Sequence, residues 1–160
     1  MDYTTIDSPV GPLLLAGRDE TLSLVGFVNG WRPQRPDPSW TERPRSFRLA
    51  IEELRRYFAQ KLEAFSVPLS LEGTPFQLRV WHELQDIAYG ETISYGELAR
   101  RVGNPQAARA VGLANGANPI SIIIPCHRVI GSNGTLTGYG GGLEIKQQLL
   151  ALERRQLRLI

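Results

Sequence analysis

The sequence predicts an α+β protein in two parts: a small antiparallel sheet with one helix over residues 1–72, and a mostly helical part of winged-helix character over residues 73–160. Three observations carry that expectation. Short apolar segments alternate with turn residues near the N-terminus. Helical spacing of apolar residues starts only at Ser46. Gly73 is followed at once by a strong helix start. At 160 residues the chain can bury a real core, as one domain or two small ones.

The apolar segments are residues 3–6, 13–16 and 22–28. Ser8-Pro9-Val10-Gly11-Pro12 and Gly17-Arg18-Asp19-Glu20 separate them, which reads as an antiparallel meander. Residues 30–44 carry four prolines and little periodicity, so a surface loop is expected. From Ser46 onward Phe47, Ile51, Leu54, Phe58 and Leu62 fall at helical spacing. Residues 66–71 are ambiguous.

In the second part Thr74 can cap, Pro75 suits the first helical position and Gln77 completes a capping box. Phe76, Val80, Leu84 and Ile87 form the apolar stripe, with Trp81 beside it. Ser94 with Glu97 starts a short helix that Gly103 stops. Asn104-Pro105 is expected to start the next, so that two helices and a Gly-containing turn make a helix-turn-helix pattern. Ala107, Ala108, Ala110, Gly112 and Ala114 keep the second helix slim. A slim helix can pack closely, and it can also enter a nucleic-acid groove without clashing. Residues 120–124 read as a short buried extended segment. Residues 131–142 hold six glycines and read as a flexible flap, with no Gly-Lys-Ser/Thr to make it a phosphate loop. Residues 143–152 form a last amphipathic helix ending near Glu153.

The buried segment delivers Pro125-Cys126-His127-Arg128-Val129, which contains the only cysteine. One thiol makes no intramolecular disulfide and no structural zinc site. Flanked by histidine and arginine, it is expected in a positively biased pocket that favours the thiolate. A nucleophilic thiol needs a base and the base an orienting group. His127 and Glu153 have the chemistry, but in extended backbone neighbouring side chains diverge, so a bridging water or a turn is needed. His82, within a helix beside Trp81, reads as a packing or surface residue.

Composition bounds the rest. With 42% hydrophobic and 21% charged residues the chain reads as a soluble globular protein. The net charge of +2 is too small to demonstrate a polyanion partner. It divides unevenly: residues 1–73 hold 9 basic against 10 acidic side chains, and residues 74–160 hold 9 against 6. No stretch approaches a membrane span, and the first residues show no basic region followed by an apolar core. With one unpaired cysteine, a cytoplasmic setting is expected.

Asn118-Pro119-Ile120-Ser121-Ile122-Ile123-Ile124-Pro125-Cys126-His127-Arg128-Val129-Ile130 resembles the active-site signature of the O6-alkylguanine-DNA alkyltransferases, also called methylated-DNA–protein-cysteine methyltransferases. The resemblance extends through Thr74-Pro75-Phe76-Gln77, Val80-Trp81, Ser94-Tyr95-Gly96, Ala107-Ala108-Arg109-Ala110-Val111-Gly112, Gly138-Tyr139, Gly141-Gly142-Leu143, Lys146 and Leu149-Leu150-Ala151-Leu152-Glu153. It covers residues 74–153 densely and the first 70 weakly, and it implies a ribonuclease H-like first part. It further implies a partner, double-stranded DNA containing O6-alkylguanine, with O4-alkylthymine accepted less well. The helical pair would bind the minor groove and the damaged base would flip into a pocket. Arg109 would fill the gap left by the base, with Ala108, Ala110 and Gly112 on the same DNA-binding helix. Tyr95 would rotate the nucleotide and assist guanine protonation. Asn118 would brace the active-site loop. Cys126 would be the nucleophile, His127 its base through water, and Glu153 the group that orients His127. The carbonyls of Cys126 and Val129 would read the guanine amine, and Tyr139 with the Gly140 N–H would complete the base pocket. The alkyl group would stay on Cys126, so each molecule acts once. No cofactor or metal is implied, and a monomer is expected, with cooperativity along DNA left open.

Gly140 stands where many relatives carry serine, which predicts a more mobile flap. Two other readings compete with the alkyltransferase. A lesion-binding protein without transfer chemistry would not need Cys126, and a thiol hydrolase would turn over without being consumed.

Overall fold

The computed structural model describes residues 1–134 and 139–158, with side chains up to Arg154. Strands β1 (Asp2–Ile6), β2 (Leu13–Arg18) and β3 (Thr21–Phe27) form the expected meander. Asp19 and Glu20 both take positive φ in the two-residue loop between β2 and β3, as a tight hairpin of this hand requires. The sheet carries a fourth strand that the proline content of the loop concealed. β4 (Thr41–Glu42) pairs parallel to β1, giving the order β3-β2-β1-β4.

The free edge of β3 is covered twice. Leu22 exchanges backbone hydrogen bonds with Pro68 and Ser70, which places the ambiguous segment as an edge bridge. Val25 does the same with Pro119 and Ser121, at 3.0 Å each. The first part of the chain therefore holds the start of the Cys126 loop by its backbone.

A 3₁₀ turn at Pro44–Phe47 leads into α1 (Arg48–Phe58), which buries Ala50, Leu54 and Tyr57. Leu62, expected on this helix, lies beyond its end, because Gln60 turns the chain at φ 61°. In the second part α2 (Pro75–Leu84) begins with the predicted capping box, Thr74 Oγ1 accepting from Gln77 N at 3.1 Å and Gln77 Oε1 from Thr74 N at 3.0 Å. Such a cap is worth about 1 kcal/mol. Trp81 is buried, and its indole N–H donates to the Ala114 carbonyl at 2.8 Å. That bond ties α2 to α4 (Ala108–Gly116).

α3 (Tyr95–Arg101) is capped by Ser94. Asn104 does not cap α4. Its side chain accepts from Gln106 N within the intervening turn, and the helix starts four residues later at Ala108. A two-stranded parallel ladder, β5 (Ile93–Ser94) with β6 (Val129–Ile130), joins the helical pair to the end of the Cys126 loop. α5 (Leu143–Arg158) runs past the expected stop, so Glu153 sits inside the helix rather than at its end. One hydrophobic core runs through both parts, from Leu13 and Phe47 to Val80, Ile124 and Leu149. Among the described residues no helix is long and apolar enough to cross a membrane.

Candidate active site

The loop that delivers Cys126 is turned rather than extended. Only Ile120 bridges to β3; residues 121–124 then turn, with Ile122 at φ 72°. A β-branched residue in the left-handed region is strained, and the surrounding contacts must hold it there. Asn118 does part of this. Its Nδ2 donates to the Ile124 carbonyl at 2.8 Å and its Oδ1 accepts from Ile120 N at 3.0 Å.

Cys126–Arg128 then form a single 3₁₀ turn. This is the turn that adjacent functional side chains require. Cys126 lines a cavity of about 340 Å³ with Phe27, Asn118, Ser121, Tyr139 and Gly140. His127 is fully buried, its Nε2–H donating to Glu153 Oε2 at 2.7 Å. Its other ring nitrogen, Nδ1, is buried with no hydrogen-bond partner among the described residues.

Glu153 is the centre of a buried polar cluster. Arg128 donates to both its oxygens, Nε to Oε1 at 2.9 Å and Nη2 to Oε2 at 3.1 Å. The Tyr57 hydroxyl, from α1, donates to Oε2 at 2.7 Å. Arg128 also donates Nη1 to the Ile87 carbonyl at 2.7 Å, and its guanidinium lies 5.6 Å from the Tyr89 ring centre. Burial alone would raise the Glu153 carboxyl. The hydrogen bond and charge of His127, and those of Arg128, overcome it and hold the carboxyl at about 2. Burial lowers the His127 pKa, and the Arg128 and Lys146 charges push the same way against the pull of Glu153. The imidazole is therefore neutral at physiological pH, with its proton on Nε2 and a bare Nδ1.

The expectation of a resting thiolate is corrected. Burial raises the Cys126 thiol above its ordinary value, against the opposing effects of Asn118, the Lys146 charge and Tyr139. The resting group is a thiol, and a base must take its proton when it reacts. Lys146 is buried, with Nζ donating to the Val129 carbonyl at 2.7 Å. The Cys126 carbonyl accepts from Asn115 Nδ2 at 3.4 Å. The Cys126 carbonyl also accepts from the Val129 N–H, which closes the 3₁₀ turn.

The predicted groups divide between two connected spaces. Cys126, Asn118, Tyr139 and Gly140 line the inner cavity. Tyr95, Ala108, Arg109 and Gly112 line an outer groove of about 560 Å³ that shares Tyr139 and Gly140 with it. Ala110 is exposed on α4 but does not line the groove. Gly112 faces Tyr95, whose ring would be in ordinary contact, at 3.7 Å, with a Cβ placed there. The flap is tied down at its described end. Tyr139 is buried edge-on against Phe27, and the Gly140 carbonyl accepts from Arg32 N at 2.9 Å. Gly138 lies outside the described residues. Tyr57, Arg128, Lys146 and Arg32 were not singled out from the sequence. Arg128 and Lys146 lie within quoted motifs and could have been; Tyr57, 96 residues from Glu153, carried no signal.

Fold and site together define a class: a small sheet domain and a helical domain closed around one buried thiol, with a histidine–carboxylate pair behind it and a groove leading to it. Two family models cover nearly the whole chain. The 6-O-methylguanine DNA methyltransferase ribonuclease-like domain matches residues 1–71, and the DNA binding domain of the same family matches residues 75–155. A methylated-DNA–protein-cysteine methyltransferase of Mycolicibacterium paratuberculosis is 58% identical over 156 residues, covering 97% of this chain and 93% of its own. One from Methanosarcina acetivorans is 54% identical, covering 96% and 98%. The crystal structure of Mycobacterium tuberculosis OGT in complex with DNA superposes with a TM-score of 0.92 at 53% identity, covering 98% of this chain and 94% of that one. The chain belongs to the 6-O-methylguanine DNA methyltransferase family, and its activity is the transfer of a methyl group from DNA to a protein cysteine, a DNA repair reaction.

Proposed function

We propose that Cys126 is the acceptor and that it takes the alkyl group of O6-alkylguanine in double-stranded DNA, once per molecule. The observation that carries this reading is the buried Nδ1 of His127, without a hydrogen-bond partner among the described residues, on a neutral ring that Glu153 holds from the other side and whose chain neighbour is the only cysteine. Nδ1 accepts the thiol proton through a water, and Sγ attacks the alkyl carbon. The carbon–O6 bond breaks, and the proton returns to the departing guanine with Tyr95 assisting. The product is a thioether, which is stable to water, so the protein is consumed.

The damaged base reaches the inner cavity by flipping out of the duplex. Arg109, exposed on α4, fills the space it leaves, while Ala108, Ala110 and Gly112 let the helix approach the minor groove. Val129 and Cys126 carbonyls take the guanine amine, Gly140 N–H the O6 atom, and Tyr139 closes the cavity. O4-alkylthymine is a poorer substrate. Residues 73–160 carry DNA binding and transfer, and residues 1–72 form the scaffold. The protein works as a cytoplasmic monomer. The DNA in the Mycobacterium tuberculosis complex supports the partner.

The test is intact-protein mass spectrometry with peptide mapping after incubation with a duplex carrying O6-methylguanine. One methyl group on Cys126 per lesion lost is the expected result. Lesion loss with unmodified protein would overturn the mechanism.

A further inference from the structure

The scaffold part does more than hold the loop from behind. Gly30, Trp31 and Arg32 run alongside Gly140, Gly141 and Gly142 of the flap. A Cβ on Gly30 would come within 2.9 Å of the Gly141 Cα, so only glycine allows this approach. A Cβ on Gly142 would lie 3.9 Å from the Trp31 Cβ. The Arg32 N–H donates to the Gly140 carbonyl at 2.9 Å. Backbone contacts thus fix the position of Trp31, while its side chain is 71% exposed. Tryptophan is highly buried on average, so this exposure is unusual.

Trp31 lines the outer groove together with Arg109 and with Leu113, which is 74% exposed one turn further along α4. The charged residues lining that groove are Arg32 and Arg109, with no acid among them, which suits a polyanion. The inner cavity shares Arg32, Gly116, Ala117, Tyr139 and Gly140 with the groove but does not include Trp31. A nucleotide entering through this groove would pass Trp31, while the reacting atoms would sit in the inner cavity that Trp31 does not line.

We propose that Trp31 is a binding residue for the extrahelical nucleotide, an aromatic platform supplied by the sheet domain on which the displaced base or its sugar rests at the mouth of the site. This rests on the reading that α4 meets DNA and that the base leaves the stack. Stacking on an aromatic side chain tolerates any base, so Trp31 would aid capture of different lesions rather than choose among them.

The test compares wild type, Trp31→Ala and Trp31→Phe on two substrates: a duplex carrying O6-methylguanine at sub-saturating concentration, and free O6-benzylguanine. Trp31→Ala is expected to slow methyl transfer from the duplex by about tenfold, within the range measured for base–aromatic stacking. Trp31→Phe should recover most of that loss. All three proteins should react with free O6-benzylguanine within about twofold of one another, because that ligand needs only the inner cavity. The tryptophan fluorescence of wild type should be quenched more by the lesion duplex than by an undamaged one, and Trp31→Phe should lose that difference. Unchanged duplex kinetics in Trp31→Ala overturn the proposal, as does an equal loss on both substrates, which would make Trp31 only a support for the flap. Equal quenching by both duplexes also overturns it, since the contact would then be with the intact helix. If wild type itself gains no methyl group on Cys126, the failure lies with the proposed function and not with Trp31.

Discussion

Glu153 accepts from three side chains inside the protein, and its ionised form is a condition of the fold as much as of the site. Its carboxyl ordinarily titrates near 4.5 and in the folded protein near 2. At about 1.4 kcal/mol per pH unit, that gap contributes on the order of 3 kcal/mol. The folded value is depressed, so the contribution is complete above pH 4.5 and drains away as pH falls towards 2. His127, also depressed, adds a loss of the same sign below 6.5, where the unfolded chain takes up a proton before the folded one does. Urea midpoints should fall between pH 6.5 and 2, and Glu153→Gln should flatten the part below 4.5. Glu153→Gln also leaves the Arg128 charge buried without its counter-ion, a change that costs about 3–5 kcal/mol. Transfer to Cys126 should slow on the order of 10- to 100-fold, as expected when a base loses the group that orients it, with DNA affinity unchanged. A wild-type rate in Glu153→Gln would remove Glu153 from the reaction. The wild-type rate itself should stay level from pH 8 down to 6.5 and fall only below, as His127 protonates; a fall beginning above pH 7 would contradict a neutral base.

Helix α4 shows what the sequence made legible and where it stopped. Its small residues and its partner α3 were readable because capping and periodicity are local: Ser94 caps α3 as expected, and Thr74 and Gln77 form their box. The start of α4 was misread because Asn104-Pro105 supports a turn as readily as a helix. The segment before Cys126 was misread for a different reason. An apolar run such as Ile122-Ile123-Ile124 signals burial, and it cannot show that Asn118 will bend the backbone through a left-handed residue. The fourth strand was hidden because its two residues follow a proline-rich loop and an edge pairing that short needs almost no pattern. Of the site, Cys126 and His127 were legible from adjacency and Glu153 from chemistry alone, but the contact between His127 and Glu153 spans 26 residues, a separation that no local pattern reports. On α4 itself, Arg109 is exposed beside Leu113, away from the face that packs on Trp81. Arg109→Ala should therefore leave stability within about 0.5 kcal/mol, as for an exposed surface residue. It should reduce transfer from duplex lesions while sparing free O6-benzylguanine. Equal loss on both substrates would sink the assignment of Arg109 to the gap left by the base.

The two family domains divide the chain near residue 72, yet the contacts do not respect that line. β3 bonds to the Cys126 loop through Val25, α1 sends Tyr57 to Glu153 on α5, and Gln60 donates to the Leu152 carbonyl at 3.1 Å. The hydrophobic core is likewise shared. A core common to both parts makes independent unfolding unfavourable, because either part alone would expose apolar surface that the other now covers. Equilibrium unfolding in urea should accordingly give one transition, with far-UV circular dichroism and tryptophan fluorescence coincident. With Trp31 and Trp40 replaced by phenylalanine, Trp81 reports on the second part, since it is buried against α4, and the sheet signal reports on the first. Tyr57→Phe removes one hydroxyl from the shared cluster and leaves the ring packing in place. A hydrogen bond to a charged group contributes about 1.5–3 kcal/mol, so the unfolding free energy should fall by that amount and the single midpoint should move down without splitting. Were the halves independent, the variant would shift only the transition that follows the sheet. Two separated transitions in wild type would show that residues 1–72 and 73–160 fold apart. The Cys126 loop would then owe its shape to its own turn and to Asn118, and not to the edge of β3.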